Sequence, residues 1–219
     1  MTLEIGLLVL ESILLIGTFT LLIFNIRERK QRDILLREVG RATRVLSRQE
    51  YFLSLMDSML EAKKEIIGCI TGRSPSGDDI KTTNDIVHAI GNIAKKGVRI
   101  KYLLPKFPDR LRMGVRYMKA GAEVLFSNCL MAHNIRYSII DERIVVLGIP
   151  ESAGEKEATK EGYKIMSVGL ALILKGSFDA CEKQASLKEY LQEVIEQTGA
   201  TLAYLARELS LDEEDLKKI

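Results

Sequence analysis

The stretch Asn134-Ile-Arg-Tyr-Ser-Ile-Ile-Asp141, with Glu142 to Pro150 after it, is where polar residues sit at a spacing suited to chemistry. Its alternating apolar residues predict a β-hairpin, with strands Ile135 to Ile140 and Arg143 to Ile149 joined around Asp141-Glu142. Side chains two apart on a strand share a face. On a regular strand His133 would therefore face away from Arg136. Elsewhere the chemistry-bearing residues are sparse. Asp78-Asp79 is an adjacent carboxylate pair with no further ligands in its pattern. Cys69, Cys129 and Cys181 are far apart and read as reduced thiols in a reducing compartment. With His88 and His133 as the only histidines, the pattern predicts no metal site and no cofactor.

Hydrophobic content of 47% and charged content of 28% describe a folded chain. A net charge of +2 does not argue for nucleic acid. The distribution of charge is more informative. Ile5 to Ile26 is apolar apart from Glu11, Ser12, Asn25 and a few small residues. It is long enough to cross a hydrocarbon core of about 30 Å at about 1.5 Å per residue. Glu11 would cost a few kcal/mol deep in the bilayer. The flank Arg27-Glu-Arg-Lys-Gln-Arg32 is basic, whereas the other flank carries Glu4. The positive-inside rule then places the C-terminal mass in the cytoplasm. The expectation is a transmembrane anchor over 1–26, single-pass, with its N-terminus outside.

A 4-3 apolar ladder follows: Leu35, Val39, Ala42, Leu46, Gln49, Leu53, Met56 and Leu60, with Gln49 its polar member. It predicts a juxtamembrane helix, and a basic coiled coil over 27–49 that would make the protein a homodimer. Arg37, Arg41, Arg44 and Arg48 form an offset stripe able to attract anionic lipid headgroups near the bilayer. The alternative is a helix whose second half packs on the following domain.

From Glu65 the pattern alternates. Glu65 to Ile70, Val98 to Leu104 and Ala122 to Phe126 read as strands. Helices from Asn84, an expected N-cap, to Lys96 and from Arg110 to Lys119 separate them. This order predicts a parallel sheet core. Ser152 to Glu161 reads as a charged loop and Ser167 to Lys183 as a helix. The tail 186–219 is helical, and Thr201 to Ile219 has the apolar spacing of a helix-turn-helix start. Its second helix begins Asp212-Glu-Glu-Asp215, which repels phosphates, so nucleic acid is not an expected partner.

Over residues 50–185 the order of elements and the closing hairpin resemble one half of the phospholipase D superfamily. That family's signature is His-x-Lys-x4-Asp followed by Gly-Ser-x-Asn. Asp141 and Gly148 match the Asp and the Gly. Arg136 takes the Lys position and keeps its charge for phosphate. Asn134 takes the nucleophile's position and cannot attack, and Ile149 and Glu151 replace Ser and Asn. The pattern, with its lead-in helix Met56 to Glu65, is also similar to the effector domain of TrmB-like archaeal transcriptional regulators. The resemblance implies an α/β fold, a phospholipase D-like, mostly parallel sheet flanked by helices. It implies a phosphate site at Arg136, Asn134 and Asp141. The reading that follows is a non-catalytic scaffold or sensor of a phosphorylated or anionic ligand. Its alternatives are a phosphodiesterase acting as a homodimer through a catalytic His133, and a membrane-bound relative of transcription regulators.

Overall fold

The computed structural model describes residues 14–24, 26–27, 30, 43–77, 79–150 and 159–219. The chain divides into two compact units, Met1–Arg41 and Ala42–Ile219. In the first, residues 14–24 are helical and exposed. Among the described residues no helix is long and apolar enough to cross a membrane. The rest of the expected anchor, and residues 31–42 of the expected coiled coil, lie outside the described residues.

The second unit is built on eight strands: β1 (Thr43–Ser47), β2 (Glu65–Cys69), β3 (Arg99–Pro105), β4 (Glu123–Ser127), β5 (Arg136–Ile140), β6 (Ile144–Pro150), β7 (Thr159–Met166) and β8 (Ala185–Ser186). They form one sheet in the order β1-β7-β6-β5-β2-β3-β4-β8. The helices are α1 (Arg48–Leu60), α2 (Asp79–Lys95), α3 (Leu111–Lys119), α4 (Leu130–Asn134), α5 (Val168–Asp179), α6 (Leu187–Thr198), α7 (Leu202–Glu208) and α8 (Glu213–Lys217).

The expected strands β2, β3 and β4 are present and mutually parallel, joined through α2 and α3. The sheet as a whole is mixed, because every other pairing is antiparallel. The expectation of a mostly parallel sheet is therefore corrected. Antiparallel hairpins extend the sheet beyond β2 without needing crossover helices.

Residues 43–47 are a strand and not part of a continuous helical stalk. Leu46 is 1% exposed in the core, while its neighbour Val45 is 62% exposed. That is a strand's alternation. Helix α1 starts afresh at Ser47, whose side chain and that of Glu50 form a reciprocal capping box. Leu46 is thus spent on the chain's own core, and the heptad ladder does not pass through it. Part of the expected loop Ser152–Glu161 is strand β7, which pairs with both β1 and β6. Helix α2 begins at Asp79, earlier than Asn84, whose side-chain oxygen instead accepts from Arg116 at 2.7 Å.

The sheet carries a core on each face. On β5, Ser138 and Ile140 face α1, while the Tyr137 hydroxyl donates to the Leu174 carbonyl of α5 on the other face. The C-terminal helices share the α1 side, where Leu187, Tyr190, Leu205 and Leu216 join one buried cluster with Ile90 and Phe126.

Cys129 and Cys181 form a disulfide, with Cα atoms 5.9 Å apart. The reduced-thiol expectation is corrected for this pair. They are separated by 52 residues, and the pairing of β4 with β8, with the Ser127 hydroxyl donating to the Glu182 carbonyl, brings their segments together. Cys69 is buried and outside the disulfide, and burial pushes its thiol up to about 12.

The β5–β6 turn places Asp141 and Glu142 at φ 50° and 54° and is closed by Arg143 N–H on the Ile140 carbonyl. The Asp141 carboxylate accepts from the backbone N–H groups of Lys63 at 2.8 Å, Lys64 at 2.8 Å and Glu65 at 3.0 Å. Burial alone would raise its pKa, but the N–H bonds from Glu65, Lys63 and Lys64 overcome this and hold it below the usual carboxylate range.

Two outcomes are expected. Asp141→Asn tolerates the positive φ and removes the charge, so it should cost about 1–2 kcal/mol in urea unfolding at pH 7. A depressed folded pKa gives stability that is complete above the unfolded value of about 3.9 and is lost as pH falls through the folded value. The gap between variant and wild type should therefore close below about pH 4; a gap independent of pH contradicts this role. Cys181→Ser should cost about 2–4 kcal/mol, and reductant should lower wild-type stability alone. Equal unfolding with and without reductant contradicts the cross-link.

Candidate functional site

Strand β2 has parallel β3 on one side and antiparallel β5 on the other. Strand direction reverses there, and in open α/β sheets ligands collect beyond the carboxyl ends of strands at such a point. A cavity of about 190 Å³ lies there, walled by α1, the 70–76 segment after β2, the start of α2, and residues of β3, α3 and β5. A wider outer groove shares Arg48, Phe52, Arg73, Ser76 and Asp79 with it.

Two glycines make room for the aromatic lining. Gly162 is in register with Gly148, and Gly148 with Arg136. The Tyr51 ring crosses Gly162 so closely that a Cβ there would lie 2.3 Å from Cδ2. Gly68, with Ser138 beside it in register on β5, receives the Tyr102 ring in the same way. A Cβ would meet Cδ1 and Cε1 at 2.9 Å. Tyr117 of α3 packs against Tyr102 with ring centroids 5.4 Å apart.

These three phenols are weak acids in this setting. Burial pushes Tyr51 up to about 12, with the Arg136 charge pulling it partly back. Burial pushes Tyr117 up to about 12 as well, against the pull of Arg116. Tyr102 is raised further by burial and by the neighbouring phenols. All three remain O–H donors at neutral pH. None of their hydroxyls has a hydrogen-bond partner among the described residues.

Arg48, Arg73 and Arg136 also line the cavity, against one carboxylate, Asp79. Arg48 Nη2 donates to both Asp79 oxygens, at 2.7 and 2.5 Å. Thr71, Ser74, Ser76 and Ser138 add hydroxyls that both donate and accept. Among the described residues that line it there is no histidine, lysine or cysteine.

The residues singled out from sequence separate. Arg136 lines the cavity. Asn134 closes α4 and is not on a strand; its side chain is outside the described residues. His133 is on α4 too, exposed, with its ring edge-on to Phe107 at 5.0 Å. It does not line the cavity. Asp141 stands at the opposite end of β5, where backbone N–H groups occupy its carboxylate. Among the described residues no cluster of metal-ligating side chains occurs; Asp78 lies outside them.

Tyr51, Tyr102, Tyr117, Arg48 and Arg73 were not foreseen as site residues. The usable signal was Gly68 inside an apolar strand, because a glycine there marks a close approach.

No family model and no curated protein sequence matches the chain. Among solved structures it is similar to Nuc from Salmonella typhimurium, a phospholipase D family member, at 15% identity and a TM-score of 0.50. That likeness covers 66% of this chain and 97% of Nuc. NucT from Helicobacter pylori is also similar, at 15% identity over 66% of this chain and 98% of NucT, with a TM-score of 0.46. TrmBL2, an archaeal chromatin protein whose structure shows a novel mode of DNA binding, is 19% identical with a TM-score of 0.48. Here the likeness covers 74% of this chain and 64% of TrmBL2. The mixed sheet with its flanking helices and switch-point cavity defines an α/β architecture. Within that class, the chain has a phospholipase D-like fold.

Gly162→Ala should destabilise the protein by about 1–3 kcal/mol through overpacking. The cost should shrink when Tyr51 is already Ala, a coupling that a double-mutant cycle in urea reads directly. Additive costs would contradict the close approach.

Proposed function

We propose that this chain is a membrane-anchored, cytoplasm-facing phospholipase D-like module that binds a phosphate-bearing anion and does not cleave it. The observation that carries the reading is the cavity lined by Arg48, Arg73 and Arg136, with the Arg136 charge acting on the Tyr51 phenol. A guanidinium gives a phosphate bidentate, charge-assisted bonds, and neutral phenols add donors without adding negative charge. The absence of histidine from the described lining supports binding without catalysis.

Anchoring rests on the apolar run 5–26 and its basic flank. The disulfide removes the cysteine argument for the cytoplasmic side, so the charge asymmetry alone supports that placement. A stable intracellular disulfide belongs with the proteins of hyperthermophiles, where such bonds are common. A sensor role is supported by the cavity's wall. Helix α1 follows directly from β1, the first element of the second unit.

Titration calorimetry of the full chain with inorganic phosphate tests the reading. Arg136→Ala should weaken binding roughly ten- to hundredfold, the loss of a charge-assisted hydrogen bond. Arg136→Lys should recover part of it. Affinity unchanged in Arg136→Ala sinks the phosphate site. Hydrolysis of a bis-aryl phosphodiester that His133→Ala abolishes would overturn the non-enzymatic part.

A further inference from the structure

The cavity lies behind the wider outer groove, whose volume is about 880 Å³, and five residues line both: Arg48, Phe52, Arg73, Ser76 and Asp79. A residue that lines both spaces belongs to the boundary between them. Arg48 opens α1 and Asp79 opens α2, while Arg73 and Ser76 belong to the segment that joins β2 to α2. The Arg48 guanidinium donates through Nη2 to both Asp79 oxygens, at 2.7 and 2.5 Å, and so joins the two helix starts across that boundary. The two side chains are 42% and 40% exposed. An ion pair this open to water is weak, and salt weakens it further. It breaks and re-forms without disturbing a core.

The piece Arg73-Ser-Pro-Ser76 is in neither helix nor strand, and glycines in the left-handed region bracket it, Gly72 at φ 59° and Gly77 at φ 56°. What surrounds them differs. A Cβ on Gly72 would run into the buried Leu104 side chain of β3, so that end is seated on the core. A Cβ on Gly77 would meet nothing within 4 Å, so conformation alone calls for glycine there. One end is fixed by packing and the other has room to turn. Pro75 fixes its own φ and stiffens the piece between them. Residues so placed absorb the φ and ψ changes of a moving loop.

We propose that residues 73–76 are a gate between the outer groove and the cavity, with the Arg48–Asp79 ion pair as its latch. When the pair parts, the strap swings on Gly77 and the cavity opens to the groove. The gate concerns access alone and holds whatever the cavity binds.

Ser138 lines the cavity but not the groove and is 3% exposed. Ser138→Cys in the full chain therefore places a thiol behind the gate. Methyl methanethiosulfonate, a small neutral reagent, reads access to it: the thiolate attacks the reagent's sulfenyl sulfur, a mixed disulfide forms and methanesulfinate leaves. Mass spectrometry of peptides follows the rate. Cys69 is the internal control. It is buried and, one residue after Gly68, points to the sheet face opposite Ser138. Adding Asp79→Asn should speed modification of the introduced thiol about two- to fivefold and leave Cys69 unchanged. With Asp79 in place, raising sodium chloride from about 0.1 to 1 M should speed it about twofold, and with Asp79→Asn salt should have no effect. A rate indifferent to Asp79→Asn and to salt overturns the gate. Equal acceleration at Cys69 also overturns it, because the whole fold would then be opening.

Discussion

The Asp141 carboxylate is the tie on which the site depends. It collects three successive backbone N–H groups at the entry to β2, and its own N–H donates to the Glu65 carbonyl. These bonds pin the β5–β6 turn to the start of β2 and so set the antiparallel register of β5 against it. A slip of one residue would turn every β5 side chain to the other face. With the register held, Ser138 lies beside Gly68, and Arg136 arrives at the carboxyl end of β2, where the cavity lies. One residue of the resembled motif therefore anchors the strand, and another, five positions earlier, lines the cavity.

Two glycines shape the aromatic wall of the cavity. Gly68 and Gly162 leave the sheet surface bare, and Tyr102 and Tyr51 settle onto it. Their rings then occupy space that a packed core would otherwise fill, and their hydroxyls lack protein acceptors among the described residues. Burial keeps the phenols protonated, so they cannot repel an anion.

Much of the architecture was legible because it is written locally. The apolar runs of β2, β3 and β4 and the alternation of the β5–β6 hairpin carry their own signal. The edge of the sheet was not. Leu46 fits a heptad ladder as well as it fits a strand, and only pairing with β7, more than a hundred residues away, decides between them. Strand β7 was lost in a charged stretch because Gly162 and its polar neighbours mask the alternation. The Cys129–Cys181 pair is likewise a product of long-range strand order. Arg136, singled out by analogy with a motif lysine, lines the cavity. The analogy misled for Asp141, whose work is structural. His133 proved to be helical, so its predicted strand geometry did not apply. The tyrosines come from α1, β3 and α3, and no sequence spacing brings them together.

The most direct test of the anion site is a crystal of the full chain soaked with tungstate, a heavy phosphate analogue, and read by anomalous scattering. The account predicts a peak within hydrogen-bond distance of the Arg136 guanidinium and the Tyr51 hydroxyl. A bound anion elsewhere on the chain, with none at Arg136, would contradict it.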